Sequence, residues 1–506
     1  MRQDFAQTNI KPFIYVHYSL SLAIIMDPAT VTGLVAAEQV VSTTVEAGGV
    51  AAIGLAQSTQ PLSATLTRVS SEAFLPRSKH SLTVVSGQAY IFGGEYERGK
   101  LAGDEVHIVS LPLKKAGNEG KPDYKVVPSL GEGEDGKVPG ARAGHTACAI
   151  GERVYMFGGY GEDEKAIQEM GRVWVFNTNT LGWSYIYPSS DVSVPPARSL
   201  HGGATSEHPL PNTDVSNKAS YSEQITSAVG KLPNLIGKAS APQEPHGSLV
   251  ICGGMSKCGE PLNDTWIFNI ISKTWSQLPS TPCTSPWPPS LALTHNRLYL
   301  ISSSSDLGSE IHYLPFTKET YSDARGEGEV GLTNTQAKWS TLPFPTNPLT
   351  PGPRPRKGAG LIPVTTGNGR EYLLYFFGEK ASTPTSTSSD PPSSETPSEK
   401  EEDAPVFWSD IYSYQVPAVP ITAAGIKDAA RSAMGIPTGE DTWAEVKIVT
   451  VTEGETEGKS HPGPRGWFAS TSVGREIEGG GVLVWGGVNG KGEVEGDGWI
   501  INVGPK

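Results

Sequence analysis

Positive charge is what this chain most lacks. Lys and Arg number 40 against 53 Asp and Glu, giving a formal net charge of −13. No dense basic cluster interrupts that excess, so a run of phosphates would go unneutralised and no nucleic-acid partner is expected. Cysteine is scarce as well. Cys148, Cys252, Cys258 and Cys283 are too few to staple 506 residues and read as ordinary thiols of a reducing, cytoplasmic setting. Long apolar runs are missing. The best candidate, FIYVHYSLSLAIIM over 13–26, is too short to span a bilayer and carries His17, so no membrane association is expected. It also lacks a small-x-small cleavage site before Asp27, and we expect residues 1–25 to be a mis-assigned start; were 1–26 a signal peptide, the protein would be secreted. Catalytic signatures are absent too: there is no Gly-x-Ser-x-Gly elbow, no Walker loop and no paired Cys-x-x-Cys. Gly131 to Gly136 satisfies a dinucleotide pattern only with Glu132, Glu134 and Asp135 in it, whose carboxylates would repel a pyrophosphate.

Glycine and proline, in contrast, are abundant at 58 and 41 residues, while apolar residues reach only 37%. That balance points to many short strands joined by turns. From Arg142 to Trp183 the chain runs Arg-x-x-His (Arg142, His145), HTACAI, VYMF before Gly158 and Gly159, VWVF, and a tryptophan opening WSYIY. Each piece is a short strand bounded by turn residues, so the unit is a four-stranded antiparallel meander. Before it, Arg77 and His80 open HSLTVV, AYIF leads to Gly93 and Gly94, and Tyr124 stands where tryptophan is expected. After it come Arg198 and His201, SLVI before Gly253 and Gly254, and TWIFN with Trp275. A worn fourth copy has Ser302 and Ser303 in place of the glycines and ends at Trp339. The fifth has Arg354 or Arg356, LLYFF and Trp443; the sixth has Arg465, VLVW, Gly486 and Gly487, and no fourth strand. A strand near 66–70 (LTRVS) is placed to supply it, because closing the ring removes an exposed sheet edge.

Paired glycines after an apolar strand and an outer-strand tryptophan, at a period of roughly 50 residues, resemble the kelch repeat. The resemblance covers about 61–503, and in layout the chain is similar to kelch proteins of filamentous fungi. It implies an all-β, six-bladed kelch β-propeller with four-stranded antiparallel blades, closed by an N-terminal strand. Residues 1–60 form an N-terminal extension, partly helical or mobile, with Ala and Val enough for a helix or two. The propeller occupies 61–506, with insertions at 206–246 and 380–403; the second, rich in Ser, Thr, Pro and acid, is expected to be a disordered loop.

Antiparallel connectivity puts the second-to-third loops and the inter-blade loops on one face, and the blade-three insertion on the other. On the first face Arg77, Arg142, Arg198, Arg354 and Arg465 recur at the channel mouth, where guanidiniums could hold a carboxylate or pair with acids of the same loops such as Glu95, Glu162, Asp163 and Glu379. His80, His145 and His201 occupy equivalent positions; each is expected to bond its own blade's backbone rather than converge on a metal. Glu453, Glu457 and His461, four apart, resemble the iron motif of the plant specifier proteins, although Gly454, Gly458, Pro462 and Gly463 disfavour a single helical face. Galactose oxidase, a related propeller, has no matching local signature here.

Kelch repeats imply binding more often than catalysis. We expect a monomeric, non-catalytic scaffold or adaptor without a cofactor, taking a protein or peptide partner, an acidic one included, on the inter-blade-loop face. The rival is a small-molecule or metal-dependent enzyme, specifier-like, with iron near Glu453 and His461.

Overall fold

The computed structural model describes residues 58–505 apart from 70–73, 112–123, 191, 211–244, 286, 303–309, 324–325, 335–337, 345–351, 382–404, 450–458 and 475–480. The expectations for residues 1–57, for most of both insertions, and for Glu453 and Glu457 lie outside the described residues.

Six four-stranded antiparallel meanders are arranged in a ring. Blade two, the clearest repeat in the sequence, consists of Thr146–Ile150, Arg153–Phe157, Val173–Asn177 and Gly182–Ile186 in that spatial order. Blade one starts at Ser81–Val85, blade three at Gly202–Ser206, blade four at Ser290–Thr294, blade five at Gly360–Thr365 and blade six at Ala469–Ser472. These innermost strands neighbour one another in that order, and the sixth returns to the first, closing the ring.

Blade six is completed from the other end of the chain, slightly earlier than the sequence suggested. Leu62–Arg68 pairs antiparallel with Gly498–Pro505 over seven residues, from Leu62 opposite Pro505 to Arg68 opposite Trp499. Its outer edge is covered in turn by Lys447–Ile448, running parallel from the connection out of blade five. Leu62 and Ala64 are buried, so the closing strand also contributes to the core.

Six apolar clusters hold the ring, one at each blade interface. The tryptophans behave as expected. Trp183 tucks against Phe92 of blade one, with ring centroids 5.1 Å apart, and Trp275 repeats the arrangement against Phe157 of blade two at the same distance. Off-parallel packing of aromatic rings gives directional preference beyond area burial. Tyr124 substitutes in blade one, stacked on His107 with its hydroxyl 2.8 Å from Nδ1.

The glycine pairs are required by close approach. Gly93 and Gly94 lie at φ +63° and +86°, and a Cβ on Gly94 would come within 2.5 Å of the His80 Cβ. Any side chain there would combine left-handed strain with a clash.

Two elements escape the repeat pattern, and both occupy third-to-fourth-strand connections on the face opposite the glycine pairs. A hairpin, Thr317–Asp323 with Gly326–Thr333, projects from blade four. A helix, Ala423–Ala433, follows the third strand of blade five, capped by the Thr422 side chain accepting from the Gly425 N–H. The helix buries its charged side rather than an apolar stripe: Asp428 receives both terminal nitrogens of Arg370 at 2.5 and 2.8 Å. Alternating-strand patterning has no place for such an inverted helix.

Candidate functional site

In every blade but the fourth an arginine enters just before the innermost strand and turns inward. Arg198 and Arg465 are 0% exposed, and Arg142 and Arg356 2%. In blade three both terminal nitrogens of Arg198 pair with Asp264 at 2.7 and 2.8 Å, and Nη1 also donates to the Gly253 carbonyl at 3.1 Å. Arg142 does the same with Glu169 and Gly158, and Arg356 with Asp410 and Phe377. Arg465 contacts Asp497 and Gly486 through Nη1. The acid then accepts an indole N–H from its own third strand: Trp266 on Asp264 at 2.6 Å, Trp499 on Asp497 at 2.9 Å, Trp174 on Glu169 at 2.7 Å. In blades two and three a bidentate guanidinium, a carboxylate and an indole thus tie the entrance of the blade to its third strand; blade six has the same three groups with a single guanidinium nitrogen on the acid, and blade five has the bidentate pair without the indole. Blade one has a looser version, with Arg77 3.9 Å from Glu105 and 3.4 Å from His107.

The expected pairing therefore occurs with different acids. Glu95 binds Lys79, and Glu379 binds Lys357; the arginine partners are those just ahead of the third strand. The position belongs to Arg356, not Arg354, which is exposed and lies over Trp408 at 5.0 Å. With four of the guanidiniums enclosed, a partner has no surface on which to touch them. Burial works against the ionised forms of Asp264 and Asp497, but the arginine hydrogen bonds and charges outweigh it and hold both carboxyls below the usual range.

The arginine backbone has a second task. Its carbonyl accepts from the second glycine of the preceding blade: Gly94 to Arg142 at 2.8 Å, Gly159 to Arg198 at 3.0 Å, Gly378 to Arg465 at 2.8 Å, Gly487 to Arg77 at 2.8 Å. Two residues on, another ring of backbone bonds circles the mouth. Leu200 donates to Gly144, Gly144 to Lys79, Lys79 to Trp467 and Trp467 to Gly358, at 2.7, 2.8, 2.9 and 3.0 Å. All five lie at φ between +53° and +63°. At the equivalent place in blade four stands Pro288, which has no N–H to give.

The histidines bridge blades, which corrects the expectation that each would bond its own backbone. His145 Nε2 lies 2.9 Å from Ser81 Oγ of blade one, and His201 Nε2 lies 2.9 Å from Thr146 Oγ1 of blade two. His80 faces blade six, where the equivalent residue is Ala469, and neither of its ring nitrogens has a partner among the described residues. Burial, aided by Arg77, pushes His80 down to about 3, so it stays neutral. Ala469→Ser is expected to supply the missing hydroxyl and raise stability by about 1 kcal/mol, read as a higher urea midpoint at unchanged slope; an unchanged or lower midpoint would show that the pocket cannot use it.

His461 is half-buried, its Nδ1 accepting from the Gly463 N–H at 2.8 Å. Among the described residues no three His, Cys, Asp or Glu side chains are grouped to hold a metal, and no helix is long and apolar enough to cross a membrane.

What remains at the mouth are residues that differ between copies. Lys79 sits 5.9 Å from the Trp467 ring and 5.7 Å from the Tyr160 ring, and bonds Glu95 at 3.0 Å. The Tyr160 hydroxyl also donates to Glu95. Trp467 Nε1 donates to Glu379 at 2.7 Å, and Lys357, bound to that carboxylate, lies 4.1 Å from the Trp287 ring centre. Trp287 meets Trp467 edge to face at 6.3 Å and is 36% exposed. The order Trp287, Lys357, Glu379, Trp467, Lys79, Glu95, Tyr160 is one continuous cluster contributed by blades four, five, six, one and two. In the sequence its members are scattered single residues with no shared motif; only their common offset from each arginine could have grouped Lys79 with Trp467.

Comparison with known proteins agrees with this architecture. Residues 55–210 match the KLHDC2/KLHL20/DRC7 Kelch-repeats domain, and 245–282 match the Kelch motif. Residues 55–210 and 245–282 of this six-bladed β-propeller thus carry kelch repeats. It is similar to Host cell factor 2 of Homo sapiens (24% identical, over 60% of this chain and 39% of that protein), to Host cell factor of Drosophila melanogaster (25%, over 43% and 12%) and to Kelch domain-containing protein 1 of Mus musculus (24%, over 44% and 60%). It therefore spans less than two thirds of the length of each. The solved structure of YjhT is 11% identical with a TM-score of 0.46, covering 86% of this chain and 99% of that one.

Proposed function

We propose that the protein is a non-catalytic interaction scaffold that takes a protein or peptide partner on the face of the inter-blade loops, through the aromatic and lysine cluster at the channel mouth. One observation carries this: the residues shared by most copies are buried in the scaffold, whereas the face exposes large aromatic groups and a guanidinium where the copies differ. Trp287 is 36% and Phe74 67% exposed, and Arg354 lies over Trp408 with no carboxylate partner among the described residues. Tryptophan and arginine are the residue types that anchor protein interfaces most often. Lys79 and Lys357 each have a carboxylate partner, so the partner need not be acidic; its recognition rests on apolar and cation–π contact.

The test begins with affinity purification and identification of the partner, followed by titration of that partner against Trp287→Ala and Trp467→Ala. Each is expected to weaken binding at least about tenfold while the far-UV spectrum and Tm stay close to wild type. Unchanged affinity in both variants would place the interface elsewhere.

A further inference from the structure

Along the axis, the six innermost strands enclose a channel of about 420 Å³, within the size range of small-molecule sites. Among the described residues its wall carries no Asp, Glu, Lys or Arg. The two histidines that line it are held neutral by burial, His80 at about 3 and His145 well below its ordinary value, and the Cys148 thiol is pushed up to about 12 by the same cause. At neutral pH the wall therefore has no formal charge. A charged ligand would lose its hydration there and find no counter-charge, which is a large penalty.

The wall is also two-sided. Blades six and one present the hydroxyls of Ser470, Thr471 and Thr83, and blade three that of Thr205, which donates to the Ala149 carbonyl at 3.2 Å and keeps its oxygen as an acceptor, with the neutral thiol of blade two between them. Blades four and five present aliphatic groups, Leu293 and Ile362. An apolar ligand would leave the hydroxyls of blades six and one unsatisfied, and a wholly polar one would waste the aliphatic arc. Ser472, at the far end of the blade-six strand, is exposed and marks the end of the channel away from the Lys79 and Trp467 cluster.

We propose that this channel binds an uncharged, polyhydroxylated ring molecule of the pyranoside class, with its hydroxyl edge towards blades six, one and three and its C–H face towards Leu293 and Ile362. The site is independent of the partner-binding face.

Titration of the full-length protein with methyl α-D-glucopyranoside and methyl β-D-galactopyranoside, followed by saturation-transfer NMR, tests this, with glucuronate and glucosamine as charged counterparts. Saturable binding of at least one neutral pyranoside is expected, with the charged sugars at least about tenfold weaker. Thr471→Val, which removes one hydroxyl at nearly constant volume, is expected to weaken the neutral ligand about tenfold, and Ser470→Leu to block it; should the Leu variant fail to fold, the Val variant alone decides. No saturable binding of either pyranoside, binding indifferent to ligand charge, or binding unaffected by Thr471→Val would overturn the proposal.

Discussion

Arg198→Ala is expected to lower the unfolding free energy by about 3–5 kcal/mol, the usual result of removing one member of a buried ion pair. The guanidinium is fully enclosed, and four acceptors depend on it: both oxygens of Asp264 and the carbonyls of Gly253 and Pro196. Water cannot replace it without opening the blade. Arg198→Lys should recover only part of the loss, since an ammonium cannot form the two parallel bonds. Acid gives the same answer by another route. The carboxyls of Asp264 and Asp497 are held below their ordinary value in the folded protein. Their contribution is present above the unfolded carboxyl value near pH 4 and is lost as pH falls through the lower folded value. The wild type should therefore lose stability steeply below about pH 4, and Arg198→Ala, already without one pair, should show a shallower acid slope. Urea unfolding from about pH 2.5 to 7 reads both effects. A variant within about 1 kcal/mol of wild type would mean that the pair is worth no more than an exposed one.

Deleting residues 58–68 is expected to be more damaging still. The seven-residue pairing with Gly498–Pro505 would vanish, Leu62 and Ala64 would leave the core, and the parallel Lys447–Ile448 would lose the strand it pairs with. Ladder bonds at about 1 kcal/mol each and one buried leucine at about 2 put the loss at roughly 5 kcal/mol or more, comparable to the whole stability of many domains. The shortened protein should associate through its open edge or unfold without a cooperative transition. Size-exclusion chromatography and thermal unfolding distinguish this from the alternative: a monomer with wild-type Tm would show that blade six stands on three strands.

Much of the propeller is legible in the sequence because its signals are local and repeated. Glycine pairs, outer tryptophans and period-two strands recur often enough to predict six blades and closure from the N-terminal side. Chemistry that depends on partners distant in the chain is not legible in the same way. Arg-x-x-His reads either as a binding motif or as an arginine paired with acids of its own loop, and the actual partner is out of view because Asp264 lies 66 residues from Arg198. A weaker signal is present: an acid two residues ahead of an aromatic on the third strand, as in Asp264 with Trp266 and Asp497 with Trp499. Likewise, the histidine bonds cross between blades, and repeat reasoning compares copies without asking which neighbour each one faces. Blade four shows what the repeat tolerates. Pro286, Pro288, Pro289 and Ser302 replace the arginine, the N–H donor, the histidine and the first glycine, yet its strands pair in the same order, held by the apolar clusters on either side.

The division of labour between shared and differing residues is tested most directly by measuring Tm and partner affinity together in Arg198→Ala and Trp467→Ala. Arg198→Ala should lose Tm, with affinity reduced only in proportion to the unfolded fraction, while Trp467→Ala should keep Tm and lose affinity. The opposite pattern, a stable Arg198→Ala that no longer binds beside a Trp467→Ala that binds normally, would return the arginine ring to the binding site and contradict that division.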